Sequence, residues 1–229
     1  MHVLDNPIWH ALTGPHATVA QRAPQAARYL PDVSVFAALP DDVKPEAWDD
    51  LRELVGAGNV TSVSRRDLVV PDGWTVEFSL PCRQMWLPDA LAPTTGDSET
   101  VPVLTLGPND VPEMLALVER TQPGPLRTRT IELGTYLGVR DGGDLVAMAG
   151  ERLHPPGFTE ISAVCTDATH RGRGLAARLV RAIVEGTRAR GEKPILHLTT
   201  ANEPAHRIYV ALGFETRMLV DVVGLRAPD

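Results

Sequence analysis

In residues 101–229 the hydrophobic positions recur in some segments with the period of a strand and in others with the period of a helix. This pattern predicts a succession of strands and helices. Short β-branched or apolar runs predict strands, and longer amphipathic segments predict helices. The predicted order is β-α-α-β-β-β-α-β-α-β. The predicted strands are 101–107, two runs flanking a hairpin turn at RDGGD (140–144), 158–166, 194–200 and a final segment that starts at 215.

The predicted helices carry recognisable start and stop signals. One begins at Asn109 or Asp110 and ends at Pro123-Gly124, and a further helical stretch precedes the hairpin. Another begins with an Asn202 cap and ends at Gly213. Between them, residues 175–190 form a helix that ends at Gly191, and its predicted buried face contains Leu175, Leu179, Ala182, Ile183 and Gly186.

The pattern in residues 1–100 is weaker. It predicts a short helix that breaks at Gly14-Pro15, a helix over 45–56 and a strand over 74–80. The stretch 87–100 is rich in Pro, Thr, Asp and Gly, which predicts a loop or linker. We therefore expect a boundary near residue 100, between an N-terminal α/β domain (1–100) and a second domain (101–229).

Composition narrows the classes of function. The 229 residues carry a net charge of −7, which argues against a general nucleic-acid binder. No run approaches the ~18 apolar residues that a membrane span needs, and the first residues do not resemble a signal peptide. Two cysteines form neither a disulfide framework nor a zinc pattern. We expect a cytoplasmic protein without a metal, a nucleic-acid partner or a membrane partner.

The candidate chemistry lies in the turn Arg171–Ala176, between a strand and the helix of 175–190. Residues 171–190 hold six arginines and one glutamate, a local net charge of +5 in an acidic chain. Free N–H groups at a helix start, glycines that let a ligand approach and arginines together favour a phosphate site. The plain alternative is a helix start with a solvated basic face, and we expect Arg178, Arg181 and Arg188 to form such a face.

A dinucleotide site is a further alternative, because Gly172-x-Gly174-x-x-Ala177 fits the relaxed fingerprint. That fingerprint needs the first glycine close behind the strand and an acid at the end of the next strand. Here five residues follow Thr166 before Gly172, and the next strand ends in Thr199-Thr200. A nucleotide-triphosphate P-loop is absent, because no Gly-Lys-Ser/Thr follows.

Two motifs resemble the GNAT superfamily of N-acetyltransferases over residues 102–226. The Q/R-x-x-G-x-G/A pattern appears as Arg171-x-x-Gly174-x-Ala176, and AVCT before it is similar to a subgroup with V-C-T-H-P. This chain has Asp167 and Ala168 where that subgroup has His-Pro. Downstream, NEPAHRIYVALGF (202–214) is similar to the family's N-x-x-A-x-x-x-Y-x-x-x-G-F helix.

The resemblance implies a mixed, mostly antiparallel α/β (α+β) sheet flanked by helices, with acetyl-CoA as co-substrate. The pyrophosphate would lie on the backbone of 171–176, with side-chain contacts from Arg171 and Arg173, and the pantetheine arm between two splayed strands. The residues implied in cofactor binding are Val164, Cys165, Thr166, Arg171, Gly172, Arg173, Gly174, Leu175, Ala176, Asn202 and Ala205.

The resemblance also implies two catalytic residues. Tyr209 matches the general acid that would protonate the departing thiolate. Glu160 lies eleven residues before Arg171, where some members place a catalytic glutamate, and burial would raise its pKa toward neutrality for work as a base. Each has a structural alternative: core packing for Tyr209 and an exposed strand face for Glu160. Glu151 and Arg152 are weaker candidates for substrate contact, and His154 and His197 are interpreted as structural.

The sequence therefore predicts an N-acetyltransferase that moves acetyl from acetyl-CoA to a small-molecule amine by direct attack in a ternary complex. Alternatives are a longer acyl-CoA, a non-catalytic CoA sensor and an NAD(P)-dependent oxidoreductase. Residues 1–100 carry no motif; one interpretation is a degenerate GNAT-like half that walls the acceptor pocket. We expect a monomer or homodimer.

Overall fold

The computed structural model describes residues 2–88, 90–92 and 101–229, so residues 89 and 93–100 of the predicted linker lie outside the described residues. The strands are β1 (Ala20–Ala23), β2 (Ala26–Tyr29), β3 (Ala37–Ala38), β4 (Val60–Ser64), β5 (Thr75–Trp86), β6 (Leu104–Thr105), β7 (Tyr136–Asp141), β8 (Asp144–Glu151), β9 (Phe158–Thr166), β10 (Lys193–Thr199) and β11 (Glu215–Arg226). The α-helices are α1 (Pro7–Leu12), α2 (Glu46–Val55), α3 (Val111–Thr121), α4 (Leu175–Ala189) and α5 (Glu203–Ala211).

Eight strands form one sheet in the order β4-β11-β5-β10-β9-β8-β7-β6, and β1-β2-β3 form a small separate sheet. Within the large sheet β9 and β10 run parallel, and the other neighbouring strands run antiparallel. Helices α4 and α5 bury their apolar residues against one face, while α3 packs on the other. The predicted mixed, mostly antiparallel α/β sheet flanked by helices is confirmed.

Turn glycines and helix-cap residues in the sequence predicted several elements correctly. The hairpin turns at Gly142 and Gly143, whose φ angles of +60° and +99° suit glycine and match a two-residue turn. Strand β9 has the predicted bounds, and Asn202 caps α5 by accepting a hydrogen bond from the Ala205 N–H. Helix α3 begins after Asp110, the second of the two predicted cap residues, whose carboxylate accepts a hydrogen bond from the Gly107 N–H.

Three element predictions need correction. The strand predicted over 101–107 is only Leu104–Thr105, because β6 pairs with β7 at those two positions alone. The helical stretch before the hairpin is a single 3₁₀ turn, Thr130–Leu133. Gly186 of α4 is exposed and Ala182 is half-buried, because the buried face turns toward Val180, Val184 and Thr187.

Strand β5 is longer than the predicted 74–80 and continues through Pro81 to Trp86. The Pro81 carbonyl accepts a hydrogen bond from the Thr200 N–H, so the Pro81 nitrogen faces the same side, just beyond the Cys82–Thr199 pair where β10 ends. The missing N–H therefore leaves no bond to β10 unmade. A proline is tolerated in this long strand for that reason.

Residues 1–100 and 101–229 share the large sheet, because β5 lies between β10 and β11. Met85 and Leu87 are fully buried in the same core as the apolar residues of α4. The division into two domains at residue 100 stays a prediction, while the sheet itself is continuous across it. Among the described residues, no helix combines the length and apolar character that a membrane crossing needs.

Gly150 in β8 lies under the ring of Tyr136, where an added Cβ would come within 2.3 Å of two ring carbons. We expect Gly150→Ala to lower the free energy of unfolding by about 1–3 kcal/mol, since the ring must shift in a packed core. Gly186→Ala in α4 is the control, because its Cβ would meet only Arg190 Nη1, at 3.8 Å. The control should be neutral or stabilising by up to about 1 kcal/mol. Urea unfolding measures both, and equal effects would contradict the packing argument.

Candidate active site

The large sheet opens between β9 and β10. The two strands pair from Phe158–Lys193 to Ile161–Leu196 and do not pair beyond that point, although β9 continues to Thr166 and β10 to Thr199. The backbone groups of both strands that face the opening are therefore not used by the other strand. This is the splayed pair of strands that the family resemblance implies for a pantetheine arm.

A bulge in β9 lies at the opening. Gly150 pairs with Ser162 and Met148 with Cys165, so Ala163 and Val164 together face one residue of β8. Ala163 has φ +53°, an uncommon value for a residue with a side chain. The bulge breaks the regular alternation of residue orientation along β9. It therefore sets the directions in which the backbone groups of the next residues point.

The three residues after the bulge differ in their surroundings. Val164 is half-buried against the core under α4, whereas Cys165 is buried on the α3 side, where it contacts Thr121 and burial raises the pKa of its thiol. The hydroxyl of Thr166 is buried and has no hydrogen-bond partner among the described residues. Buried polar groups are normally paired, so a hydrogen-bonding ligand in the opening would fit at Thr166.

The turn between β9 and α4 has the geometry of an anion site. Gly172 and Gly174 have φ angles of +80° and +74°, and the space beside the Gly172 Cα is open. Helix α4 begins at Leu175 without a side-chain cap, so its first N–H groups have no side-chain partner there. Partial positive charge at this helix start favours phosphate. The backbone from Arg171 to Ala176 can therefore cradle a pyrophosphate.

The arginines of the turn have partners within the protein, and their contacts with a pyrophosphate stay a prediction. Arg173 Nη1 lies 3.2 Å from Asp141 Oδ2, and His170 Nε2 lies 3.2 Å from the same oxygen. The pKa of Asp141 is lowered by both neighbours. Arg173 thus braces the turn against the β7–β8 hairpin, while the Arg171 Nε–H donates to the Thr166 carbonyl at 3.4 Å.

The segment where this chain departs from the His-Pro pattern is a 3₁₀ turn, Ala168–His170. Asp167 caps it by accepting hydrogen bonds from the Thr169 N–H and hydroxyl, and its other oxygen pairs with Arg120 Nε of α3 at 3.0 Å. An Asx-type cap therefore does here what a proline would do elsewhere, which is to restrict the backbone before the turn.

Helix α5 brings Tyr209 to the same region. The side chain is 8% exposed and lies edge-on to Phe214, with ring centroids 5.9 Å apart. Burial raises the pKa of the phenol, and Cys165 of the opened strand raises it further. Tyr209 is therefore protonated at neutral pH and lies near the β9 bulge. Asn202 is the cap of this helix, and Ala205 packs partly against the core.

The expected environment of Glu160 is wrong. Its carboxylate is fully buried, but it accepts two hydrogen bonds from Arg152, at 3.0 and 2.6 Å, and lies 2.7 Å from His197 Nδ1. Burial acts to raise the pKa, but the charge of Arg152 and the hydrogen bonds from Arg152 and His197 outweigh it and lower the pKa to about 2. The sequence predicted an apolar surrounding because both partners come from other strands or loops.

The hydrogen bonds assign the tautomer of His197. Gln84 Oε1 accepts from Arg217 Nη1, so the Gln84 amide group donates to the Leu4 carbonyl and to His197 Nε2, at 2.8 and 3.0 Å. His197 then carries its proton on Nδ1 and donates it to Glu160. The sequence interpreted His197 as structural, and this placement agrees.

The network continues to the chain start through Arg217 and Asp5, which pair at 2.5 Å, and the Phe36 ring lies 5.0 Å from the Arg152 guanidinium. Residues 1–100 thus cover the face that carries Glu160. Sequence reasoning missed Gln84, Arg217 and Asp5, because no motif or spacing marks them. No group of His, Cys, Asp and Glu suited to a metal ion is found in the described part of the chain.

An opening between two strands, with a turn suited to an anion directly after one of them, is the arrangement that the family resemblance implies for acyl-CoA binding. The model of the FR47-like protein family matches residues 136–221. A solved structure from Novosphingobium aromaticivorans, assigned to the GNAT family of acetyltransferases, is 36% identical, with both chains covered completely and a TM-score of 0.88.

Two named curated relatives match shorter segments. N-alpha-acetyltransferase RimI of Mycobacterium tuberculosis is 37% identical over 94 residues, 40% of this chain and 54% of that protein. Mycothiol acetyltransferase of Corynebacterium glutamicum is 39% identical over 75 residues, 32% of this chain and 26% of that protein. The matched segments thus span about half or less of the curated relatives.

The chain belongs to the GNAT family, whose acetyltransferases are acyltransferases that use acetyl-CoA as co-substrate. The predicted family is thereby confirmed. The V-C-T subgroup stays a prediction.

Replacement of Glu160 by Gln removes the charge that faces Arg152. We expect Glu160→Gln to lower the free energy of unfolding at pH 7 by about 3 kcal/mol or more, because a buried charge loses its partner. The folded pKa of about 2 lies below the ordinary value of 4.5. The stabilisation is therefore present above about pH 4.5 and is lost as the pH falls toward 2.

The measurement is urea unfolding between pH 7 and 2.5, in which the wild type should lose more stability than the variant. Glu132→Gln is the control, because Glu132 forms a similar two-bond pair with Arg129 on the surface, at 2.6 and 2.8 Å. Exposed pairs contribute little, so this variant should follow the wild type. A wild type and a Glu160→Gln variant with parallel pH profiles would contradict the assigned pairing.

Proposed function

We propose that the protein is an acetyl-CoA-dependent N-acetyltransferase that acts on a small-molecule amine by direct attack in a ternary complex. The observation that carries this proposal is the order of features along β9: pairing with β10 ends at Ile161, the bulge follows at Ala163, and the anion-binding turn begins at Arg171. A thioester arm in the opening and its diphosphate on the turn are separated by one short strand segment.

Acetyl-CoA supplies an activated thioester when bound. In our proposal the N–H groups of residues 171–176 bind its pyrophosphate. Backbone groups of Val164 and Thr166 hold the pantetheine arm in the manner of an added strand. An N–H near residues 164–165 stabilises the negative charge that develops on the thioester oxygen.

Tyr209 is the proposed general acid, because its phenol is protonated at neutral pH and lies near Cys165. It would give its proton to the sulfur that leaves. The base role predicted for Glu160 is not part of this proposal, since a carboxylate with a pKa of about 2 is a weak base at neutral pH. We assign Glu160 a positioning role instead: it holds Arg152 and His197 on the acceptor side.

The covering of that side by residues 1–100 supports a small acceptor. The Leu4 carbonyl and the Phe36 ring lie over Gln84 and Arg152, which leaves less room for a folded protein surface. The similarity to an N-alpha-acetyltransferase favours one further candidate, the free N-terminus of a peptide. The proposed enzyme is cytoplasmic and needs no metal; both of its cysteines are free and buried.

Titration calorimetry tests the phosphate turn. We expect CoA to bind and NAD not to bind, because the turn suits a CoA diphosphate next to an opened strand. Gly172→Ala should weaken CoA binding about tenfold, since a Cβ would occupy space that the diphosphate needs. Gly157→Ala is the control: Gly157 has the same φ of +80° and equally open surroundings, at the other end of β9. If the two variants bound CoA with equal affinity, the turn would not be part of the CoA site.

Thiol release tests the transfer itself, with glucosamine, alaninamide, spermidine and an alanine-initiated pentapeptide as acceptors. We expect amine-dependent release of CoA, greatest with one of the three small amines. Tyr209→Phe should lower kcat by about 10²-fold or more at an unchanged KM for acetyl-CoA, since general acid catalysis is lost. If the pentapeptide gave the highest activity, the proposed small-molecule acceptor would be wrong and the acceptor would be a peptide. An unchanged kcat in Tyr209→Phe would remove the assigned acid.

A further inference from the structure

The hydroxyl of Tyr136 in β7 is buried without a hydrogen-bond partner. The residue is 1% exposed, and within the described residues no side chain or backbone group pairs with this oxygen. A buried hydroxyl without a partner destabilises the folded state, so such a group calls for an explanation. One explanation is a ligand that supplies the missing hydrogen bond.

The sheet register shows where this hydroxyl points. Tyr136 pairs with Gly150 of β8, and Gly150 pairs with Ser162 of β9, so the three residues form one row across the sheet. The Tyr136 ring lies across Gly150, as the 2.3 Å approach of its carbons to a Cβ built there demonstrates. A ring that crosses β8 in this way directs its hydroxyl toward β9 and Ser162.

Ser162 lies at the start of the opening. The residue before it, Ile161, is the last of β9 that pairs with β10, and the residue after it is Ala163 of the bulge. Ser162 is half-buried although it lies in the middle of an eight-stranded sheet, so solvent has access at this point. Tyr136 therefore directs its hydroxyl to the place where the sheet opens.

Tyr136 and Tyr209 lie on opposite faces of the sheet. Tyr209 packs in the core that also contains Ile161, whereas Tyr136 packs with the core of α3. Alternation along a strand then puts Ser162 and Glu160 on the face of Tyr136. A thioester in the opening would have the proposed acid on one side and the Tyr136 hydroxyl on the other.

The charges on the Tyr136 face are largely balanced. Arg152 and Glu160 form a buried pair, and Glu151 is held by Arg190 at 2.6 Å and by the Thr135 N–H at 2.9 Å. The pKa of Tyr136 is raised by burial and by both glutamates, against the effect of Arg152. The phenol is thus neutral, and its oxygen is free to accept an N–H bond.

We propose that the Tyr136 hydroxyl is the group that binds and orients a primary amine of the acceptor at the opening of the sheet. This inference rests on the proposed function, because it assigns a residue to the acceptor side of the same site. The phenol oxygen accepts one N–H of the amine, and the nitrogen lone pair then points into the opening between β9 and β10. Tyr136 is a binding residue in this role, and Tyr209 remains the proposed acid.

Tyr29 offers a matched control on the same protein. It is also fully buried, and burial raises the pKa of its phenol, but its hydroxyl has a partner in His16 Nδ1 at 2.8 Å. Removal of the Tyr29 hydroxyl breaks an existing bond, whereas removal of the Tyr136 hydroxyl breaks none within the described protein. Tyr29→Phe should therefore lower the stability and leave the activity unchanged. Tyr136→Phe should lower the activity and leave the stability unchanged or higher.

The test compares Tyr136→Phe and Tyr29→Phe as purified 229-residue proteins, with whichever of the four acceptors the wild type uses fastest. Tyr136→Phe should raise the acceptor KM about tenfold and change kcat less than about threefold, since one bond to the bound amine is lost. Its affinity for acetyl-CoA by calorimetry should not change, and its Tm should equal or exceed that of the wild type. Tyr29→Phe should keep the wild-type acceptor KM and lose about 2–4 °C in Tm.

Three other outcomes would contradict the inference. A wild-type acceptor KM in Tyr136→Phe would overturn the inference and leave the proposed function intact. A lower Tm together with an unchanged acceptor KM would reveal a structural role for the hydroxyl and also overturn it. If the wild-type protein released no CoA with any of the four acceptors, the proposed function would fail, and the inference would fail with it.

Discussion

Four residue pairs join β9 to β10, and the rest of the site depends on where this pairing stops. Two parallel strands that stayed paired along their whole length would close the sheet and leave no backbone groups for a ligand. The bulge at Ala163 separates the strands without breaking the antiparallel contact of β9 with β8. The opening is thus held from one side by β8, which pairs with β9 on both sides of the bulge, and this makes the opening a fixed feature of the fold.

The segment before residue 100 helps to build this site and does not merely accompany it. Strand β5 pairs with β10 on the side away from the opening, and Gln84 of β5 joins the buried network of His197, Glu160 and Arg152. Buried charges require partners with good geometry. The network therefore specifies how strands from both ends of the chain align around the opening.

Two buried hydroxyls have no hydrogen-bond partner among the described residues near the opening: that of Thr166, on β9 beside it, and that of Tyr136, whose ring crosses β8 toward it from β7. The side-chain amide of Gln84, by contrast, has a partner for its oxygen and for both of its N–H groups. A protein that satisfies one set of buried groups fully and leaves two others unsatisfied nearby has the pattern of a ligand site. The missing bonds weaken the free protein, and a ligand that supplied them would remove this cost.

The sequence by itself determined the features that depend on neighbours in the chain. Strand β9, the glycine hairpin, the capped helix α5 and the turn before α4 follow from periodicity, positive φ angles at glycine and helix-end chemistry, and all of them were predicted. The family resemblance rested on the same local motifs. These features need no knowledge of distant residues, because each is decided within about ten positions.

Tertiary structure alone decided the rest. The pKa of Glu160 is set by Arg152 and His197, eight and 37 residues away, and the opposing effects of burial and charge could not be weighed without both. Arg173 donates a hydrogen bond to Asp141, 32 residues away. Strand β5 lies in the sheet between β10 and β11, which follow it in the chain by more than 100 residues. Electrostatic and packing energies depend on distance in space, which a linear pattern of residues does not contain.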